Sequence, residues 1–173
     1  MNTSEKIFSI LENYVDTIFF VPGGGCAFLA NALGNSKINH ISAICESGAV
    51  SMATGYAMAR NKLGVCLVTS GPGICNAITG IASAWTDSIP LLVIGGQAKS
   101  STLIGNSGLR VRGIQEVDGV KITRPITKLS SQAVSSKDAI DSLNIMIKTC
   151  LEGRKGGCFL EIPLDIQGES YEK

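Results

Sequence analysis

The chain has 173 residues, is 45% hydrophobic and 17% charged, and carries a formal net charge of +1. That length suits one domain with a substantial core. With no Lys/Arg stripe, nucleic acid and an anionic membrane are poor partners.

In chain order, Asn2 followed by Glu5 gives a capping-box start, and Ile7, Ile10, Leu11 and Tyr14 then share one helical face. This opening lacks the basic and apolar regions of a secretion signal, so a cytoplasmic protein is expected. Residues 17–21 read as a buried strand stopped by Pro22-Gly23-Gly24-Gly25, and residues 27–33 as a helix. Residues 40–44 read as a second buried strand. The helix expected over 47–60 is closely packed through Gly48, Ala49, Ala53, Gly55, Ala57 and Ala59. A third strand over 64–69 ends at Ser70-Gly71-Pro72-Gly73, followed by a small-residue helix over 74–85. A fourth strand over 90–94 ends at Gly95-Gly96.

From 100 to 119 the pattern weakens to a long loop with short helical pieces, and that length marks it as a functional candidate. A fifth strand is expected within 126–134. Ser136-Lys137-Asp138 then caps a helix with Ile140, Leu143, Ile147 and Leu151 on one face, and a sixth strand covers 158–162. The polar tail, 168–173, reads as a boundary or linker, leaving 1–168 as the domain. Strands and helices alternate, and the strands are continuously apolar. This predicts a three-layer α/β/α fold around a mostly parallel sheet of about six strands. The most apolar long stretch, 77–96, is broken by Asp87 and Pro90 and is no membrane span. A mean hydropathy of +0.26 is high for a free-standing domain, so part of the surface is expected against a partner.

Six cysteines, Cys26, Cys45, Cys66, Cys75, Cys150 and Cys158, form no C-x-x-C pair and read as reduced core residues. His40 is the single histidine, so no histidine metal cluster is expected and a Ser-His-Asp hydrolase lacks its elbow.

Glu46 is the most informative residue. It stands between a strand and a helix start, where open α/β sheets hold ligands. Apolar neighbours would desolvate it and favour its protonated form, so it could exchange a proton near neutral pH. The same position also suits a plain acidic residue favoured by the positive helix end. Two strand-to-helix loops are glycine-rich, at Gly23-Gly24-Gly25 and Gly71-Pro72-Gly73, and either serves as a tight turn or as an anion cradle. A dinucleotide fingerprint from Gly23 would need Gly or Ala at Phe28, and no G-x-x-x-x-G-K-[ST] frame exists.

Several segments together resemble the thiamine-diphosphate enzymes. They are Val21-Pro22-Gly23-Gly24, Cys45-Glu46-Ser47-Gly48-Ala49, Ala53-Thr54-Gly55-Tyr56-Ala57, Thr69-Ser70-Gly71-Pro72-Gly73 with Asn76, Pro90 to Gln97, Ile114-Gln115-Glu116 and Ile162 to Gln167. In order and spacing they are similar to the N-terminal, pyrimidine-binding domain of the acetolactate synthase large-subunit group. The resemblance implies that Glu46 hydrogen-bonds N1′ of the aminopyrimidine and promotes the imino form whose N4′ removes the thiazolium C2 proton. It implies that Pro22, Gly23, Pro72 and Asn76 help hold the cofactor. Gly24, Gly25, Gln97 and Gln115 would face a 2-keto acid substrate.

The family's Gly-Asp-Gly motif for magnesium and diphosphate is absent. The resemblance therefore places Mg2+ and the diphosphate on a separate domain, in a dimer or larger assembly, and this chain alone is expected to be inactive. The central and diphosphate-binding domains are missing from it, so it reads as part of a larger enzyme or as one subunit of a split one. Two positions depart from the family pattern: Ile114 replaces a typical Phe and Leu164 a typical Lys. The expected activity is decarboxylation or carboligation of 2-keto acids with an acceptor other than pyruvate. The alternative is a non-catalytic binding or assembly subunit.

Overall fold

The computed structural model describes residues 1–171. Six parallel strands form one sheet: β1 (Thr17–Phe20), β2 (Asn39–Ser42), β3 (Gly64–Val68), β4 (Leu91–Gln97), β5 (Leu129–Gln132) and β6 (Gly157–Pro163). Their spatial order is β2-β1-β3-β4-β6-β5. Seven α-helices accompany them among the described residues: α1 (Thr3–Leu11), α2 (Ala27–Gly34), α3 (Glu46–Arg60), α4 (Pro72–Thr86), α5 (Gly119–Thr123), α6 (Ser136–Leu151) and α7 (Leu164–Gly168).

Two apolar clusters flank the sheet and make it three-layered. One joins Ile7, Phe8 and Leu11 of α1, Leu29 and Leu33 of α2, and Leu143 and Ile147 of α6 to the strand residues Ile18, Val65, Leu92 and Leu160. The other joins Ala49, Ala53 and Ala57 of α3 and Ile74, Ala77 and Ile81 of α4 to Cys66, Val68, Val93 and Phe159. Alternate residues of β1, β3, β4 and β6 thus feed opposite faces, as the pleat requires. A small residue of α4 lets α3 approach closely: a Cβ on Gly80 would sit 2.7 Å from Cβ of Val50.

Three helices, α1, α4 and α6, begin where a side chain or a proline ends the extended backbone, whereas α3 starts after Cys45 without a side-chain cap. Asn2 and Glu5 form the expected reciprocal capping box, at 2.9 Å each way. Pro72 opens α4, where its missing N–H costs nothing. Ser135, one residue earlier than expected, caps α6 by accepting from the N–H of Asp138.

Several expectations are corrected. The α1 core face contains Phe8 and excludes Tyr14, which is exposed. Gly55 and Ala59 lie on the solvent side of α3. The second strand is an edge strand with all four residues exposed, because it has β1 as a neighbour on one side alone. The fourth strand does not stop at Gly95-Gly96 but runs through them to Gln97. Phe159 and the Gly25 backbone press against these two glycines and leave no room for a side chain. The fifth strand does fall within 126–134, at Leu129–Gln132, preceded by α5 and a single 3-10 turn at Arg124–Ile126. Cys45 and Cys75 are exposed, while the other four cysteines are buried; all six are free.

The tail is tied down over its described part. The Thr3 N–H donates to the Glu169 carbonyl and the Tyr171 N–H to that of Met1. The Ser136 N–H donates to the Glu169 carboxylate. Residues 172 and 173 of the expected linker lie outside the described residues. Among the described residues, no helix is long and apolar enough to cross a membrane.

Candidate functional site

The chain winds outward in opposite directions from β1 and β3, so a crevice opens between their carboxyl ends. Both glycine loops lie there. Thr69 Oγ1 accepts from the N–H of Gly25 at 3.1 Å, and a Cβ on Gly23 would stand 2.5 Å from that of Thr69. Gly25 also packs against Gly96, which brings the end of β4 into the same cluster. Gln167 of α7, fully buried, donates through Nε2 to the carbonyls of Gly25 and Ile162, both at 2.8 Å. The first loop is thereby clamped to the end of β6. Sequence reasoning had included Gln167 in a motif but given it no role.

Glu46 is the first residue of α3, and Asn76 lies one turn into α4. The packing of α3 on α4 brings them together: Asn76 Nδ2 donates to Glu46 Oε2 at 2.7 Å. Among the described residues no protein donor reaches Oε1. That oxygen faces Gly73, where an added Cβ would come within 3.2 Å. Gly71, at φ +61°, turns the chain from β3 into Pro72 and Gly73. Pro22 and Pro72 are exposed at the rim.

The apolar enclosure expected around Glu46 is only partial. Its side chain is half-buried, Cys66 and Val68 lie buried beneath, but Ile44 beside it is fully exposed, as is Ile41 of β2 in part. Cover for this carboxylate has to come from outside the chain. A carboxylate with one oxygen oriented by an amide and the other free above a glycine-lined notch suits a flat, basic heterocycle with an N–H to donate. The residues present therefore fit the pyrimidine half of thiamine diphosphate. No group of three His, Cys, Asp or Glu able to hold a metal occurs among the described residues.

The four residues expected on the substrate side share a cavity but differ in their contacts. Gly24, Gly25, Gln97 and Gln115 all line one cavity of about 450 Å³, which also receives Ile114, Leu164, Lys99 and Arg112. Gln115 holds a left-handed conformation at φ +54°, uncommon for a residue with a side chain. Its carbonyl oxygen stands where a Cβ on Gly71 would be, so the two loops interlock. Gln97 is 1% exposed, with both polar atoms engaged inside the chain. Nε2 donates to the Val117 carbonyl at 2.8 Å, and Oε1 accepts from the N–H of Ala98 at 2.8 Å. It anchors the long loop to the end of β4. Glu116 closes that loop from within, accepting from the N–H groups of Ile104 at 2.6 Å and Gly113 at 2.8 Å.

Glu161 was missed. It sits in β6 between Leu160 and Ile162 and is 1% exposed. Burial pushes its carboxyl up to about 7, against the opposing bond from Gln132 Nε2 to Oε2 at 2.6 Å; the nearby Asp118 charge adds to the rise. Among the described residues its Oε1 has no hydrogen-bond partner. A single acid in an apolar run was the available signal, and it is a strong one, because acids are almost never fully buried without partners.

A family model described as thiamine pyrophosphate enzyme, N-terminal TPP binding domain, matches residues 1–122. The acetolactate synthase large subunit of Haemophilus influenzae is 37% identical over 165 residues, covering 95% of this chain and 28% of that protein. The acetolactate synthase isozyme 3 large subunit of Escherichia coli is 40% identical over 159 residues, covering 91% and 27%. The probable acetolactate synthase large subunit of Methanocaldococcus jannaschii is 35% identical over 168 residues, covering 96% and 27%. The chain spans little more than a quarter of the length of these curated relatives.

Proposed function

Since this chain belongs to the thiamine pyrophosphate enzymes, as their N-terminal cofactor-binding domain, we propose that it supplies the proton-handling half of an active site for 2-keto acids. The reaction is decarboxylation followed by carboligation, of the acetolactate synthase type. The observation that carries this reading is the Asn76–Glu46 bond, which leaves Glu46 Oε1 open above Gly73 at the carboxyl end of the sheet.

When bound, thiamine diphosphate supplies a nucleophilic carbon and a sink for the electrons released on decarboxylation. The chain's own residues do the rest. Glu46 holds and moves a proton at its free oxygen, and Asn76 fixes the angle of the carboxylate. The interlocked Gly71 and Gln115 keep the two loops in register. Gly24 and Gly25 leave space beside the reacting centre, and Gln97 positions the 98–118 loop. The exposed strand β2, Ile41 and Ile44 are the surface on which a second domain covers Glu46. That domain holds the diphosphate and Mg2+, and the shared site makes the assembly a dimer or larger. Free, mostly buried cysteines suit the reducing cytoplasm.

The test is Glu46→Gln in the complete protein. Turnover of 2-keto acids should fall by about 10²–10⁴-fold, the usual contribution of one positioned proton-transfer group, with an unchanged unfolding midpoint. Near-normal turnover would refute the role and favour a non-catalytic binding subunit.

A further inference from the structure

We propose that Lys99 and Arg112 form the anion-binding end of the substrate pocket, so that its occupant is an aliphatic carboxylate gripped by these two cations. The proposal rests on the reading of the chain as half of a 2-keto acid site. Both residues line the 450 Å³ cavity beside Gly24 and Gly25, and among the described residues no Asp or Glu lines it. That volume lies within the range of about 300–1,000 Å³ usual for small-molecule pockets.

The two cations are uncommitted. Neither belongs to an ion pair among the described residues. Lys99 also lines a second cavity with Asp165 and Glu169, but the acids nearest in sequence, Glu116 and Asp165, are engaged by other hydrogen-bond donors. Glu116 accepts from the N–H groups of Ile104 and Gly113 and lines a different cavity. Asp165 accepts from the N–H of Ser100 at 2.9 Å and from its hydroxyl. Two unneutralised positive charges in a concave site concentrate an anion there, and the planar guanidinium matches a carboxylate with two parallel bonds.

The same cavity also carries aliphatic lining. Ile114 and Leu164 stand at the two positions where the family pattern has Phe and Lys, and both line this cavity. The charge absent at 164 is thus supplied from 99 and 112, on the long loop instead of the end of β6. An acid whose carboxylate meets Arg112 lays its carbon chain against Ile114 and Leu164, where burial favours aliphatic over polar bodies.

Isovalerate and its neutral analogue isovaleramide, neither able to decarboxylate as a 2-keto acid does, separate the charge from the shape. Each is titrated calorimetrically into the complete enzyme loaded with thiamine diphosphate and magnesium. The acid should bind about tenfold or more tightly than the amide, as expected for a charge-assisted contact. Lys99→Gln/Arg112→Gln should erase that preference while isovaleramide binding is unchanged; both side chains are exposed, so folding is not at stake. Equal binding of acid and amide by the unaltered enzyme, or a preference that survives the double substitution, overturns the proposal. An intact preference erased by the double substitution, in a protein whose turnover ignores Glu46→Gln, would instead overturn the catalytic reading and leave the anion site standing.

Discussion

Glu161 makes the stability of this domain depend on pH in an unusual direction. The ordinary carboxyl value is 4.5, and in the folded chain it rises to about 7. The folded state therefore holds the proton more tightly than the unfolded state. Stability is complete below about pH 4.5 and is lost as pH rises through 7. The difference of 2.5, at 1.36 kcal/mol per unit, corresponds to roughly 3 kcal/mol between pH 4.5 and pH 8.5. Paired acids such as Asp165, where burial pulls upward but the Ser100 bonds and neighbouring backbone N–H groups outweigh it and hold the carboxyl low, act oppositely, but only near pH 4 and below. Glu161→Gln keeps the shape and an acceptor for Gln132 while removing the titration. Urea unfolding of both forms at half-unit steps from pH 5 to 8.5 is the assay. The unaltered protein should lose stability across this range relative to the variant, by about 2–3 kcal/mol in total. Parallel curves would refute the argument and mean that Glu161 reaches solvent or a donor when ionised.

Two further outcomes follow from the loops. Asn76→Ala should weaken thiamine diphosphate binding by about tenfold, as for loss of one bond to a charged group, with no shift in unfolding because Asn76 is exposed. Calorimetric titration of the complete protein decides it, and unchanged affinity together with unchanged turnover would exclude an orienting role. Gly71→Ala places a methyl group into the Gln115 carbonyl at a left-handed backbone position. It should cost more than about 2 kcal/mol, read by thermal unfolding; a variant as stable as its parent would mean that the two loops separate freely.

The buried strands β1, β3, β4 and β6 were legible because continuous apolar runs between glycine loops have few other uses. β2 was misjudged, since Asn39-His40-Ile41-Ser42 carries no mark of how many neighbours a strand has. Gly95-Gly96 read as a stop, because a glycine pair signals a turn unless something presses on it from both sides. Here Phe159 and Gly25 do, and both come from distant segments. Glu46 and Asn76 were each visible at a helix start, but their mutual contact depends on how α4 lies on α3. The enclosure of Glu46 was overestimated because sequence neighbours such as Ile44 point away from it. Gln97 looked like a ligand-facing amide at a strand end. Its neighbours Ala98 and Val117 claim both of its polar atoms, and no local pattern announces a partner twenty residues away.

The clamp from Gln167 to Gly25 spans 142 residues of sequence. During synthesis the first glycine loop leaves the ribosome early, yet it lacks the amide that fixes it until almost the whole domain has followed. Long-range closure of this kind is slow and comes late. The loop at Gly23-Gly24-Gly25 is consequently among the last features to mature, so a nascent or clipped chain ending before residue 167 presents a folded-looking sheet with an unfastened loop. The last stretch of the domain to be made thus sets the geometry of its first loop.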